Sequence, residues 1–258
     1  MNLPDTKIAV TLFNLREYCK TKADLEESLS KVKDIGYQVV QVSALPNLEP
    51  QDIKESLEKH GLFCCATHEN LQTLTEGFNK VVEKLKILEC DFTALASPPP
   101  EFFNADGMQS FIKTMEEIGK KYAEKGLKLG FHNHHHEFQR FDGKLFLEEL
   151  YDNTDPAHVY AEIDTHWVAR GGQDPAKWIC KVKGRMPVVH FKDLMIIDTE
   201  PHFCEVGEGN LHWDDILKAC NESDVRWYVV EQDCTIGERS IFESIKISYN
   251  NLVKMGVK

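Results

Sequence analysis

Eight short runs rich in β-branched and aromatic residues recur along the chain, each followed by a longer stretch of helical spacing, and no other feature narrows the fold so much. The strand candidates are residues 7–13, 39–44, 63–68, 92–97, 128–134, 159–167, 188–192 and 227–232. Helix candidates fall between them at 22–35, 51–60, 74–88, 108–125 and 213–220, and a last one at 240–255 completes the eighth unit. The first helix is the clearest, since Leu25, Leu29, Val32 and Ile35 repeat at intervals of three and four and Gly36 closes it. In 258 residues with no Pro, Gly or Ser-rich linker, this pattern predicts one α/β domain over 1–258, a (β/α)8 TIM barrel. An open doubly wound sheet is the competing arrangement, and either fold gathers functional side chains at the carboxyl ends of the strands.

Four of the runs end on metal-type ligands: Gly130-Phe131-His132, Glu162-Ile163-Asp164, Val188-Val189-His190 and Val229-Val230-Glu231. As parallel strands they bring His132, Asp164, His190 and Glu231 to one end of the sheet. Two imidazoles and two carboxylates suit a borderline divalent cation better than calcium, which prefers oxygen. Any one of the four alone reads equally as a polar group hydrogen-bonded to its neighbours, but four at equivalent positions favour a metal. Strand alternation turns His134, Glu162, Lys192 and Asp233 to the same interior. Glu162 lies lower and needs a partner: it orients His132, is itself a ligand, or pairs with Lys192. In the tract from His132 to Glu137 alternate residues diverge and the last three, His135, His136 and Glu137, fall on a loop, so His132 and His134 are the functional candidates and His135 and His136 are expected in solvent.

The net charge of -12 opposes general affinity for phosphate backbones, so no nucleic-acid partner is expected. No window reaches the roughly 18 apolar residues of a membrane span. The start, residues 1–7, is short and polar, without the features of a targeting peptide. Eight cysteines without CxxC spacing suit a reducing compartment. A cytoplasmic protein is expected, with homo-oligomerisation left open.

Several of these segments together resemble a known family. They are Phe131-His132-Asn133-His134 with Glu137-Phe138, Asp164-Thr165-His166-Trp167, His190-Phe191-Lys192-Asp193, Glu205-Val206-Gly207-Glu208-Gly209 and Val230-Glu231-Gln232-Asp233. The family is that of sugar phosphate isomerases and epimerases, within the xylose isomerase-like barrels. Leu15-Arg16-Glu17 and Ile35-Gly36-Tyr37 extend the resemblance over nearly the whole length. It implies a divalent metal, manganese first with cobalt, magnesium and zinc as alternatives, held by Glu, Asp, His and Glu from strands five to eight. Asp164, His190 and Glu231 match that set, whereas His132 stands where the family has Glu. The resemblance also implies that His68 hydrogen-bonds substrate at the pocket wall, and that Glu137 either acts on the substrate or holds its loop.

Other residues near the strand ends carry binding expectations. Arg16 holds an anionic or hydroxyl group of the substrate, or pairs with Glu17. Trp167 and Phe138 pack a sugar's apolar face or simply pack their loops. Glu205 reaches the pocket while Glu208 faces water, on a loop that Gly207 and Gly209 allow to turn tightly.

The activity implied is metal-dependent isomerisation or epimerisation of a sugar, sugar phosphate or keto-sugar by proton abstraction beside a carbonyl, through a metal-stabilised enediolate. Related epimerases use two opposed glutamates. Glu231 is one, and His132, His134, Lys192 or Glu137 must supply the other acid or base. Dehydration or hydration of an inosose or 3-keto-sugar is the close alternative. An apurinic-endonuclease-type phosphodiesterase and a non-catalytic sugar-binding barrel rank lower.

Overall fold

Short apolar segments in this chain place eight parallel strands edge to edge: β1 (Ile8–Thr11), β2 (Val39–Val42), β3 (Phe63–Glu69), β4 (Phe92–Leu95), β5 (Lys128–His132), β6 (Val159–Asp164), β7 (Val188–Phe191) and β8 (Trp227–Val230). β8 pairs with β1 as well as β7, so the sheet closes into a barrel and the open-sheet alternative is excluded. The structure, a computed structural model, describes residues 3–258, and the first two residues of the polar start lie outside the described residues.

Inside the barrel, the amino-terminal end is plugged by Ala9, Val39, Ala66, Ala94, Val188 and Val229 with the larger Phe92 and Trp227. Gly130 makes room for that plug, because a Cβ there would lie 2.4 Å from Phe92 Cζ. Polar residues of the same interior rows, Gln41, His132, Glu162 and His190, stand above it and are almost fully buried. Cross-strand register puts His132 beside Glu162, and Asp164 beside His190. Burying such groups together is tolerable only if they satisfy one another or a ligand.

The helix Lys22–Ile35 forms where its spacing places it, started by a reciprocal Thr21/Asp24 capping box and ended at Gly36 with φ 125°. Most strands end one to three residues before the sequence reading places their ends, and three differences matter for the architecture. β1 stops at Thr11, whose hydroxyl caps a 3-10 turn over Leu12–Tyr18. β6 stops at Asp164, which caps the helix Thr165–Arg170 and so puts Trp167 on a helix. The segment 74–88 divides into Leu71–Thr75 and Phe78–Ile87 around Gly77, where a Cβ would lie 2.6 Å from Thr73 O.

Two hairpins are additions. Arg140–Phe141 pairs with Lys144–Leu145 across Asp142-Gly143, and Asp193–Ile197 pairs with Glu200–Cys204 across Asp198-Thr199. All four turn residues have positive φ, which matches the twist of tight hairpins. Among the described residues no helix is long and apolar enough to cross a membrane, and all eight cysteines are free.

Candidate functional site

The carboxyl ends of β5 to β8 each bring one candidate donor to the same point, Glu231 being the residue just after β8. His132, Asp164, His190 and Glu231 offer donor atoms that all lie within 4.8 Å of one another, and all four are buried. Asp164 is held by its own helix cap, Oδ1 accepting from the Trp167 amide at 3.0 Å, while its amide donates to Asn133 Oδ1 at 3.1 Å. Its other oxygen, Oδ2, has no hydrogen-bond partner, and neither does His132 Nδ1. His190 is gripped from both sides: Nδ1 meets Glu231 Oε2, and Nε2 meets Gln41 Oε1 at 2.7 Å and Glu162 Oε1 at 3.0 Å.

Glu162 bonds to neither His132 nor Lys192, which rules out two of its three sequence readings and leaves that of a ligand. Its oxygens take Gln41 Nε2 at 2.7 Å and His68 Nε2 at 2.6 Å. A second donor set, His68, His132, Glu162 and His190, therefore also converges within 4.8 Å. Its carboxylate is already satisfied, whereas the upper set contains two orphaned buried atoms. Those orphans, and the mixed nitrogen and oxygen donors, fit His132, Asp164, His190 and Glu231 to a borderline divalent ion.

The charges give the same reading. Burial opposes charge on His190, but Glu162 and Glu231 outweigh it and raise the imidazole to about 10. Lys192 is buried too, yet Glu231, Asp164 and Asp233 hold its pKa above the ordinary lysine range. Its Nζ lies 2.9 Å from Asp233 Oδ2, 3.5 Å from Asp164 Oδ2 and 3.7 Å from Glu231 Oε1. Burial would push Glu231 up, but Lys192 and His190 hold it well below the carboxylate range. Asp164 goes the other way, pushed to about 7 by burial against the opposing pull of Lys192. The cluster is thus a concentration of carboxylates that draws positive charge.

Two members of this cluster, His132 and Glu231, line a cavity of about 680 Å³ together with Arg16, His68, His134 and Asp233. Arg16 does not pair with Glu17, which bonds to Lys20 at 3.1 Å. Its guanidinium lies over the Phe13 ring and donates to Phe13 O and Asp233 O at 2.9 and 3.1 Å. Burial, with Lys192 next, lowers the His134 imidazole to about 3, so it is neutral. Two other concavities, of about 380 and 490 Å³, sit at the opposite end of the barrel.

Glu205 and His136 do not stand as the sequence suggested, while Glu137 and Trp167 take the packing role that was one of their two readings. Glu205 turns away from the cavity: Oε1 accepts from Ser244 Oγ at 2.6 Å on the helix Ile241–Lys254, and Oε2 is ion-paired with Arg239 Nη1 at 2.7 Å just before that helix. Glu137 is buried and holds its loop, Oε2 accepting from the His134 amide at 2.8 Å. Trp167 packs its ring on His135 and His134. His136 is half-buried rather than solvated, its ring parallel to that of His134.

The sequence reading passed over Gln41, Asn133 and Asp193. Gln41 bridges Glu162 and His190, and its signal was a lone amide inside the apolar run Val39–Val42. Asp193 accepts from the Gly207 and Gly209 amides and Trp213 Nε1, which fixes the glycine loop.

A model of the xylose isomerase-like TIM barrel matches residues 29–249. The chain belongs to that family. A sugar phosphate isomerase/epimerase from Parabacteroides distasonis superposes with TM-score 0.82 at 22% identity, covering 97% of this chain and 94% of the other. The probable 3-DHS dehydratase involved in petrobactin synthesis from Bacillus anthracis gives TM-score 0.74 at 12% identity, over 96% and 98% of the two chains. These likenesses concern the fold. Inosose dehydratase 1 of Bacillus cereus is 28% identical over 147 residues, 51% of this chain and 49% of that protein. The match thus spans about half the length of that curated relative. Within the family, epimerases and dehydratases share one barrel, so the ligand set has to be read residue by residue.

Proposed function

We propose that this chain is a divalent-metal-dependent isomerase or epimerase that removes a proton from the carbon beside the carbonyl of a sugar, sugar phosphate or keto-sugar. One observation carries the reading: donor atoms of His132, Asp164, His190 and Glu231 converge within 4.8 Å, Asp164 Oδ2 and His132 Nδ1 are buried without a hydrogen bond, and His132 and Glu231 line the barrel's cavity. When bound, the ion, manganese before cobalt, magnesium or zinc, supplies Lewis-acid polarisation of a carbonyl oxygen and so acidifies the neighbouring C–H.

Glu231 is the base, kept ionised by Lys192 and His190. The proton returns from Lys192, which stays protonated and whose Nζ lies 3.7 Å from Glu231 Oε1. Arg16 and His68 position substrate hydroxyl or anionic groups, both lying on the same wall. The free thiols and the acidic charge suit a cytoplasmic enzyme of carbohydrate metabolism.

A second reading, dehydration of an inosose or 3-keto-sugar, is favoured by the imidazole of His132 at the strand-five position and by the stretch shared with inosose dehydratase. Both reactions begin with the same proton loss. Metal-loaded protein incubated with keto-sugars and inosose in deuterated water separates them. Deuterium entering substrate or epimer without loss of water supports the first, and product lighter by one water supports the second. Absence of any bound or activating divalent ion from correctly folded protein sinks both.

Metal uptake should depend on pH in a defined direction. His190 carries a proton below about 10 in the metal-free protein, and an ion must displace it. Affinity is therefore expected to rise with pH, by about tenfold per unit for one displaced proton. Titrations at several pH values between 6 and 9 measure this, and a flat profile removes His190 from the ligand set.

A further inference from the structure

The loop after β5 carries a second group of donors that the first site does not use. His134, His136 and Glu137 each bring one ligand atom within 4.8 Å of the others. His136 and Glu137 sit on a short 3-10 turn, and His134 lies two residues beyond the end of β5. Strand alternation would separate such neighbours, but here the chain has left the strand and the turn folds them back together. The rings of His134 and His136 lie parallel, 4° apart in plane with centroids 5.2 Å apart, and Phe103 packs edge-on against His136.

Hydrogen bonding within the group leaves it unfinished. Glu137 is fully buried and uses Oε2 to accept from the His134 amide at 2.8 Å. That bond fixes the carboxylate and leaves Oε1 free. Oε1 lies 3.2 Å from His136 Nε2 yet makes no hydrogen bond, and the buried Nδ1 of His134 has no partner either. Two orphaned buried polar atoms beside a third donor are costly unless something shared satisfies them. A cation does this for all three at once.

We propose that His134, His136 and Glu137 form a second divalent-cation site, distinct from the one at His132, Asp164, His190 and Glu231. Two imidazoles and one carboxylate are a donor set for zinc or another borderline ion such as cobalt, and they leave a coordination position for water or an oxygen of a cavity occupant. His134 lines the cavity, so an ion here stands at its wall. The amide-held carboxylate supplies the fixed orientation that metal-binding carboxylates need.

Equilibrium dialysis of the full chain against zinc alone, followed by metal analysis, tests the site. Wild type is expected to hold two ions per chain. His136→Gln should hold one, because it removes a donor that no other site uses, and Asp164→Asn should also hold one. His135→Ala, at the exposed neighbour, should still hold two, and circular dichroism confirms that each variant is folded. Cobalt absorbance reports the ligand field of whichever site remains in each single-site variant. Two ions retained by folded His136→Gln overturn the proposal, as does a single wild-type ion that Asp164→Asn removes. A single ion that His136→Gln removes and Asp164→Asn retains supports this site while sinking the metal centre proposed for catalysis.

Discussion

Glu231→Gln is expected to lower turnover by about 10²–10⁴-fold at saturating metal, the usual contribution of a positioned general base. The substitution keeps size and shape and removes only the charge. In the native site that charge is unusually secure, since Lys192 and His190 hold the carboxylate well below its ordinary range. A base that stays ionised while buried is available at every working pH; Asp233 lines the cavity with it, and Lys192 is bonded to Asp233 at 2.9 Å. The variant should fold, because Gln can still accept from His190. It should also bind metal more weakly, which is why saturation matters. The readout is the rate of deuterium incorporation into substrate together with a thermal melt. Activity within a fewfold of wild type in a folded, metal-loaded variant removes Glu231 from its role.

The convergence of Asp164, His190 and Glu231 was legible because a polar residue closing an apolar run is an anomaly that only position explains. The barrel itself was legible from periodicity, and the first helix to the residue. Glu205 was not legible, since a loop has no period and nothing local indicates whether its carboxylate turns inward or toward Arg239. The partners of Glu162 were hidden for a different reason. Gln41 and His68 come from β2 and β3, on the far side of the barrel interior, and only closure of the sheet brings them across. The half-burial of His136 was hidden because the strand was read on to His134, whereas β5 ends at His132 and a 3-10 turn folds His136 back.

Arg185→Met is expected to destabilise the fold by about 3–5 kcal/mol, because several carbonyl and hydroxyl acceptors lose their donor at once and each buried orphan costs roughly 1–3 kcal/mol before partial rehydration. Arg185 is 7% exposed and has no carboxylate partner within the ion-pair distance among the described residues. Its guanidinium instead donates to Val159 O at 2.8 Å, Tyr151 O at 2.7 Å and Thr154 Oγ1 at 2.9 Å. Those bonds join the segment before β7 to the end of the helix Phe146–Asp152 and to the first residue of β6. Methionine retains most of the volume, so the effect isolates hydrogen bonding from cavity formation. For a domain of this size each kcal/mol corresponds to roughly 2–4 °C, and the melting temperature should fall by about 6–20 °C. Since β6 ends on Asp164, the loosened strand start should also weaken metal binding at its far end. A melt within about 2 °C of wild type would show that water replaces the guanidinium at these acceptors without loss.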